Sequence, residues 1–366
     1  MGIVRPDESR RMEIEELRRM LLSCAGVYRR KEEEALRLSG PAMPLEQDDK
    51  LVCVIGGVSY LGIAIVNQLL LRGYSVRILV DNEEDLDKLR EMETSGEMRG
   101  PNNSNVVEGV MARLTEVEGL SEAFNGCRGV FQTAAFIDPA GLSGYSKSMA
   151  EVEVMASKNV LEACASTSSV RYCVLTSSLL TCIWQDHSLN NTSRKIDHDS
   201  WSNDSICTTK KLWYALGKLR AEKAAWEIAK ETGLKLATIC PGLITGPEFR
   251  NRNPTPTIAY LKGAREMYRK GLLATVEVNA LAKAHVTVYE EMKNTAHGRY
   301  VCFDKVLSSP EEAENLARET GIDIGTILDD DVELNDQNSS QERFQLSDLK
   351  LCRLMSRTFR CLDYLN

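Results

Sequence analysis

The chain has 366 residues, of which 43% are hydrophobic and 27% charged, and its formal net charge is −8. This composition is typical of a globular protein with a sizeable core, and the length fits one large α/β domain with a smaller one. The acidic balance argues against nucleic acid or an anionic membrane as a partner. The 11 cysteines and 4 histidines show no metal-ligand spacing, so we expect no metal site and no disulfide framework. No signal-peptide pattern and no apolar run of transmembrane length is present, which predicts a cytoplasmic protein.

Residues 1–49 are predicted to form a helical extension and a linker. The segment 12–38 is rich in Glu, Arg, Leu and Met, and Ser39-Gly40-Pro41 ends it. Its apolar residues recur near helical spacing at Ile14, Leu17, Met20 and Leu21. We expect a surface helix through which the chain contacts a partner or a second copy of itself.

From Lys50 onwards, short apolar runs alternate with helical segments. The first such unit is a strand at 51–55, a helix at 61–71 and a strand at 75–80. Further strands are predicted at 105–107, 129–133, 171–176, 236–240 and 299–303, and helices at 117–124, 146–165 and 213–232. This alternation predicts an α/β fold with a doubly wound parallel Rossmann sheet over residues 50–247. Residues 248–366 are predicted to form a smaller C-terminal substrate-binding domain interleaved with the last strands.

A glycine-rich turn follows the first predicted strand. It consists of Gly56, Gly57, Val58, Ser59, Tyr60, Leu61 and Gly62. Between a strand and a helix, such a turn lets the backbone approach a pyrophosphate at the positive end of the helix. Ser59 occupies the position of the middle glycine in a Gly-x-x-Gly-x-x-Gly spacing, so its side chain adds atoms where phosphates would approach. The turn predicts a nicotinamide dinucleotide, NADP(H) or NAD(H).

The choice between the two cofactors depends on the end of the second strand. Asp81 stands there, and a carboxylate in this position binds the adenosine ribose and repels a 2′-phosphate, which favours NAD. Arg77 and Lys88 are nearby cations that would serve NADP instead. The two possibilities remain open at this point.

Tyr214 and Lys218 form a Tyr-x-x-x-Lys motif on a predicted helix. Residues four apart share a helix face, and a neighbouring ammonium is expected to lower the pKa of a phenol, which makes Tyr214 a usable proton donor. The same spacing recurs at Tyr289 and Lys293, so the motif alone decides little. Only Tyr214 lies downstream of an apolar strand that ends in hydroxyl residues, at Thr176-Ser177-Ser178, and strand ends of a parallel sheet form the ligand crevice.

At these residues the chain resembles the plant cinnamoyl-CoA reductase and dihydroflavonol reductase group of extended short-chain dehydrogenases, in a divergent subgroup with an N-terminal extension. The resemblance also covers residues 126–131 (GCRGVF), 218–226 (KLRAEKAAW), 241–247 (PGLITGP) and 298–302 (GRYVC). It implies that Ser178, Tyr214 and Lys218 are the catalytic triad. It further implies cofactor contacts at Thr133, Ala134, Ala135, Pro241, Gly242, Leu243 and Ile244.

Several positions depart from the family pattern. Asp81 replaces an arginine that binds the 2′-phosphate, and Arg113, before Leu114, replaces an aspartate near the adenine. Leu212, Ala215 and Leu216 replace members of the substrate-side signature. The resemblance therefore implies an NAD(P)H-dependent reductase of a carbonyl or acyl-CoA thioester, with a phenylpropanoid-type substrate. The alternatives are a catalytically weak cofactor-binding scaffold linked to plant defence and, less favoured, a sugar-nucleotide epimerase.

Overall fold

A computed structural model describes residues 50–95, 98, 107–134, 145–186, 194–247, 254–328 and 343–363. The predicted N-terminal helix and Ala135 lie outside these residues. Contacts within the chain define one unit of Leu45–Arg357 and a second of Met1–Pro44 with Thr358–Asn366. The sheet and the candidate site belong to the first unit. The division into three segments at residues 49 and 247 stays a prediction.

Seven parallel strands form the central sheet. In spatial order they are β10 (Gly298–Cys302), β7 (Lys235–Pro241), β5 (Tyr172–Thr176), β4 (Gly129–Gln132), β1 (Leu51–Ile55), β2 (Ser75–Val80) and β3 (Val107–Met111). Every neighbouring pair is parallel. The strand order reverses between β1 and β4, which is where α/β sheets of this kind bind ligands. The predicted doubly wound Rossmann sheet is confirmed.

The sequence pattern predicts the third strand at 105–107, but in the structure the strand begins further along the chain. It runs from Val107 to Met111 and lies at the edge of the sheet, where three of its five residues are exposed. An edge strand of this kind shows no continuous apolar run, and Gly109 interrupts its pattern further. Because periodicity was the only signal, the boundary could not be located from the sequence.

The described helices surround the sheet and the elements beside it. They are α1 (Tyr60–Leu71), α2 (Glu83–Ser95), α3 (Val117–Phe124), α4 (Lys147–Ser166), α5 (Leu180–Ile183), α6 (Asp204–Thr209), α7 (Trp213–Thr232), α8 (Pro254–Tyr260), α9 (Ala264–Arg269), α10 (Val278–Glu291), α11 (Pro310–Thr320) and α12 (Leu349–Asp363). On one face, α1 and α10 pack together, and on the other α4 packs against α7. This double cover explains why the central strands consist of apolar residues on both faces.

The second Tyr-x-x-x-Lys spacing lies in the core and not in the cleft. Tyr289 is 1% exposed, and its ring packs against the rings of Tyr74, Phe131 and Tyr172. A side chain at Gly129 would meet the Tyr289 ring at 2.2 Å, so the glycine makes room for it. The spacing at Tyr289 is therefore a feature of packing.

The remaining described elements pack around a hydrophobic cluster beside the sheet. A small sheet joins β8 (Leu243–Thr245), β9 (Ala274–Glu277) and β11 (Lys305–Val306), and β6 (Lys195–Ile196) pairs with β12 (Gln345–Leu346). Trp184, Tyr260 and Met267 are buried in this cluster. It places α8 over the carboxyl ends of the central strands. Among the described helices, none combines the length and the apolar character needed to span a membrane.

A buried histidine makes the stability of this fold depend on pH. His285 in α10 is fully buried, with Nδ1 2.8 Å from the carbonyl oxygen of Leu281 and Nε2 2.8 Å from Oγ1 of Thr176. Burial lowers the pKa of His285 to about 4, against about 6.5 in an unfolded chain. The unfolded chain therefore binds the proton more tightly. The contribution of His285 is complete above about pH 6.5 and is lost as the pH falls towards about 4.

We expect the free energy of unfolding of the wild type to fall by about 3 kcal/mol more than that of His285→Asn between pH 7 and pH 4. Urea denaturation at a series of pH values measures this difference. His297 is exposed, so His297→Asn should retain the pH dependence of the wild type. Identical pH dependence of the wild type and His285→Asn would contradict the expectation.

Candidate active site

The glycine turn brings the start of α1 against the end of β1. A side chain at Gly62 would come within 2.0 Å of the carbonyl oxygen of Gly56, so only glycine fits there. Gly56 has a φ of +74°, a left-handed conformation that favours glycine. A side chain at Gly57 would meet Ile78 at 2.7 Å. All three glycines are therefore required by the close packing of the turn.

Ser59, which stands where the spacing leads one to expect glycine, begins the helix. It is the N-cap residue of α1, and its hydroxyl accepts a hydrogen bond of 3.1 Å from the backbone N–H of Gly62. Serine is among the residues favoured at this position because it satisfies a backbone donor at the helix start. The departure at Ser59 is thus explained by helix capping.

The loops that follow β1 and β4 meet beside this turn. Thr133 follows β4, and its hydroxyl donates a hydrogen bond of 2.8 Å to the carbonyl oxygen of Ile55. Ala134 lies against Gly56, at 3.2 Å from where a side chain at that glycine would begin. Both residues are therefore at the place where the strand order reverses, whereas Ala135 is outside the described residues.

The two serines after β5 differ in their surroundings. Ser177 donates a hydrogen bond of 2.6 Å to a carboxylate oxygen of Glu222. Ser178 is 2% exposed and lines the cleft, where its hydroxyl accepts a hydrogen bond of 3.2 Å from the backbone N–H of Leu180. Both serines line the cleft. The Ser177 hydroxyl is bonded to a buried ion pair, whereas the Ser178 hydroxyl is bonded only to a backbone N–H in the described contacts.

Helix α7 carries a stripe of polar residues at a spacing of four, half-buried at Tyr214 and buried at Lys218 and Glu222. Tyr214 and Lys218 line the cleft, and Glu222 lies one turn further along. The turn before the helix contains Lys211 at a φ of +53°, the one described non-glycine residue with a positive φ. This strained turn fixes where α7 begins, and with it the position of Tyr214.

A carboxylate that the sequence analysis did not identify lies beneath the pair. Glu153 of α4 is 4% exposed, and its Oε1 lies 2.5 Å from Nζ of Lys218. The hydroxyl of Tyr145 donates to the other carboxylate oxygen, and the Tyr145 ring meets the ring of Tyr214 edge to face, with centroids 5.1 Å apart. The sequence could have indicated that Glu153 is buried, because it lies three residues from both Ala150 and Ala156 and so shares their buried face of the helix.

The pKa of Tyr214 does not shift in the direction that its spacing from Lys218 predicts. Burial raises the pKa of Tyr214, Lys218 lowers it and Glu153 raises it, and the net direction is upward. The sequence analysis expected a lowered pKa, since it considered the ammonium but neither burial nor Glu153. For Lys218, burial lowers the pKa, but Glu153 and Tyr214 both raise it, and the net direction is upward.

The cleft encloses about 670 Å³ of empty space, including its open mouth. This volume is within the range of small-molecule sites. Thr176 and Ser177 line the cleft together with most of the predicted residues: Ser59, Tyr60, Leu61, Thr133, Ser178, Tyr214, Lys218, Pro241, Gly242, Leu243 and Ile244. The sequence analysis missed Thr257 and Tyr260, which α8 places over the cleft. The irregular pattern after Gly246 gave no signal for them.

The candidate residues for the adenosine end lie outside this lining. Asp81 is exposed directly after β2, and Leu114 is buried. Arg77 points elsewhere, because its guanidinium bonds Glu108 at 2.9 Å and the carbonyl oxygen of Ala123 at 2.7 Å. Arg77 is therefore not available as a cofactor ligand.

The other two cations considered for this end also have acidic neighbours. Nζ of Lys88 lies 3.0 Å from Glu84 and 3.3 Å from Asp85. Arg113 is exposed and lies 3.5 Å from Glu116. The described charges around Asp81 are thus mainly negative or already neutralised.

These features fit a dinucleotide. The close packing of the glycine turn brings the start of α1 against the end of β1, and this helix start lies at the reversal of strand order. Both are requirements of a pyrophosphate site. The residues at 241–244 extend the same cleft towards Tyr214.

Comparison with known proteins agrees with this geometry. A family model described as the 3-beta hydroxysteroid dehydrogenase/isomerase family matches residues 53–310. Cinnamoyl-CoA reductase 1 of Petunia hybrida is 35% identical over 276 residues, which cover 74% of this chain and 77% of that protein. Anthocyanidin reductase of Arabidopsis thaliana is 30% identical and covers 73% and 79% respectively. The crystal structure of vestitone reductase from alfalfa superimposes with a TM-score of 0.57 at 22% identity, over 83% of this chain and 91% of that one, which shows the shared fold.

The family resemblance, the enzyme class and a nicotinamide cofactor of either type are thereby confirmed. The matched region spans the glycine turn, Ser178, Tyr214, Lys218 and the cleft. The chain belongs to the 3-beta hydroxysteroid dehydrogenase/isomerase family of extended short-chain dehydrogenases, and within it is an NAD(P)-dependent reductase similar to the plant cinnamoyl-CoA reductases.

Proposed function

We propose that the protein reduces a carbonyl or acyl-CoA thioester of a phenylpropanoid-type substrate, with Tyr214 as the proton donor. The observation that carries the proposal is that Ser178, Tyr214 and Lys218 line one cleft together with the glycine turn. Relatives named cinnamoyl-CoA reductase support the substrate class.

The residues have distinct roles in this reaction. The nicotinamide, when bound, supplies the hydride that reduces the substrate carbon. The Ser178 hydroxyl orients the substrate oxygen, and Tyr214 gives that oxygen its proton. Lys218 stabilises the phenolate that remains, since an adjacent cation favours the charged form of an acid.

The residues that depart from the family signature belong to the apolar packing beside the cleft. Leu212, Ala215 and Leu216 stand at the positions that depart from the signature, and all three are buried in the cluster that contains Trp184 and Tyr260. The phenol of Tyr260 lines the cleft, and its hydroxyl has no hydrogen-bond partner among the described residues. An aromatic substrate with a polar ring substituent would satisfy both features.

We further propose NADH as the tighter-binding cofactor. Asp81 offers a carboxylate at the end of β2, and Arg77, Lys88 and Arg113 all lie against acidic side chains. A 2′-phosphate would therefore meet net repulsion. NAD(H) avoids this cost because its ribose carries a hydroxyl there.

Calorimetric titration with NADH and NADPH tests both proposals. We expect NADH to bind more tightly, and Asp81→Asn to improve NADPH binding by about 1 kcal/mol, or roughly fivefold, through loss of one repulsive charge. Asp87→Asn, on the exposed side of α2, is the matched control and should change neither affinity. A screen of hydroxycinnamoyl-CoA thioesters and aldehydes with the tighter cofactor then tests the substrate class.

Binding of neither cofactor would reject the proposal. Tighter binding of NADPH, unchanged in Asp81→Asn, would reject the role of Asp81 alone.

A further inference from the structure

The carboxylate of Glu153 has no place in the proposed reaction, yet it contacts the catalytic pair directly. Its Oε1 lies 2.5 Å from Nζ of Lys218, and both side chains are at most 6% exposed. The Lys218 nitrogen is 5.8 Å from the centroid of the Tyr214 ring. The ammonium is thus held between a carboxylate below and a phenol above.

Tyr145 fixes this carboxylate in place. Its hydroxyl donates to Glu153, and its ring packs edge to face on Tyr214. One aromatic residue therefore contacts both the carboxylate and the phenol, so the geometry of the three groups is linked. This arrangement keeps Glu153 beneath Lys218 and away from water.

Stability alone is a weak reason for such a pair. Removing two charges from water costs free energy that their attraction only partly offsets, and an apolar pair of similar size is often at least as stable. The charge itself has a clear chemical consequence. Lys218 and the neutral phenol of Tyr214 carry a net charge of +1, and Glu153 brings the buried group to zero.

We propose that Glu153 is a positioning residue of the active site, which holds the Lys218 ammonium and keeps the Tyr214 phenol protonated. The inference rests on the proposed role of Tyr214 as proton donor. Loss of a proton from a group of charge +1 is easier than from a neutral group, so the carboxylate opposes formation of the phenolate. The phenol is the form that reduction needs, whereas oxidation of an alcohol needs the phenolate. Glu153 therefore keeps Tyr214 in the form that donates a proton during reduction.

Other titratable groups around the pair do not supply this negative charge. Among the described residues these are Tyr145, whose pKa is raised by burial and by Glu153 so that it is neutral, Tyr260 of α8, the Glu222 and Arg299 ion pair, and His285 behind Thr176. Burial raises the pKa of Tyr260 and lowers that of His285, so both are neutral near pH 7. Arg299 neutralises Glu222. Glu153 is thus the described carboxylate whose charge acts on Lys218.

The test is Glu153→Gln, which retains the shape of the side chain and removes its charge. Reduction uses the protonated phenol and is lost as the pH rises through the pKa of Tyr214. Because Glu153 raises that pKa, the alkaline limb of the reduction profile should move to lower pH in the variant, by about one unit or more. Glu153→Asp, which withdraws the carboxylate by one methylene, should shift the limb less and in the same direction, and it replaces Glu153→Gln if that variant does not fold.

Glu151→Gln is the matched control, since Glu151 is an exposed carboxylate on the same helix. Its profile should match the wild type. A structural role for Glu153 would change stability and leave the alkaline limb in place, and that result overturns the proposal.

A second measurement is independent of turnover. The ultraviolet absorbance of tyrosinate is titrated in the wild type and in Tyr214→Phe, and their difference reports Tyr214 alone. The same difference in the Glu153→Gln background should titrate at lower pH. An unchanged Tyr214 titration in the folded variant overturns the role of Glu153. A shifted titration in a protein without reductase activity supports it and rejects only the proposed reaction.

Discussion

Replacement of Tyr214 by phenylalanine is expected to lower turnover by a factor of about 10²–10⁴, the usual contribution of a positioned general acid. The variant loses one hydroxyl and retains the ring that packs against Tyr145 at 5.1 Å. The glycine turn and residues 241–244 are unchanged, so cofactor affinity should be close to that of the wild type. Steady-state rates with the substrate found in the screen, together with calorimetric titration of the cofactor, measure the two effects separately.

The chain provides its own control for this experiment. Tyr289→Phe removes the hydroxyl from the other Tyr-x-x-x-Lys spacing, which lies in the core against Phe131. We expect this variant to retain wild-type turnover in its folded fraction. Undiminished turnover in Tyr214→Phe would reject the proton-donor role, and a loss common to both variants would show a general structural effect.

The second large effect is expected on stability, from the buried ion pair of Glu222 and Arg299. Glu222 is 0% exposed, and Oε1 lies 2.8 Å from Nε of Arg299. It also accepts hydrogen bonds from Ser177 and from Thr238, at 2.6 Å and 2.7 Å. Glu222→Ala would leave the guanidinium buried without its counter-charge. We expect the free energy of unfolding to fall by about 3–5 kcal/mol.

Urea denaturation of the wild type and variant at pH 7 measures this loss. The matched control is Asp204→Asn, because Asp204 bridges Arg220 and Lys223 at the surface. An exposed pair contributes about 0–1 kcal/mol, so the control should be nearly as stable as the wild type. Equal losses in the two variants would contradict the special role of the buried pair.

Much of the fold follows from patterns within short stretches of sequence. The runs at β1, β2 and β5 are apolar because helices cover both faces, and glycines mark the turn that packs α1 against β1. Such signals are local, so one sequence is sufficient to locate them. The edge strand β3 lacks them, since much of it faces water.

In the candidate site as well, some residues follow from local sequence motifs and others only from tertiary packing. Tyr214, Lys218 and Ser178 belong to motifs with known neighbours along the chain, and the structure places them around one cleft. Their roles stay predictions. Glu153 and Tyr260 come from helices distant in sequence, and only the packing of α4 and α8 against α7 and the strand ends brings them there. The salt bridge between Arg77 and Glu108 is likewise a tertiary contact, which the local sequence pattern does not indicate.

The stripe on α7 has a consequence for how the protein is made. Tyr214 and Lys218 share their helix face with Glu222, whose counter-charge comes from Arg299, 77 residues later in the chain. During synthesis this helix is therefore complete well before the strand that neutralises its third polar side chain. Until β10 joins the sheet, burial of this face of α7 would place the Glu222 carboxylate in an apolar environment without its counter-charge. Helix α7 should therefore reach its final packing only after the chain has been synthesised as far as β10, near the end of the residues 53–310 that match the family model.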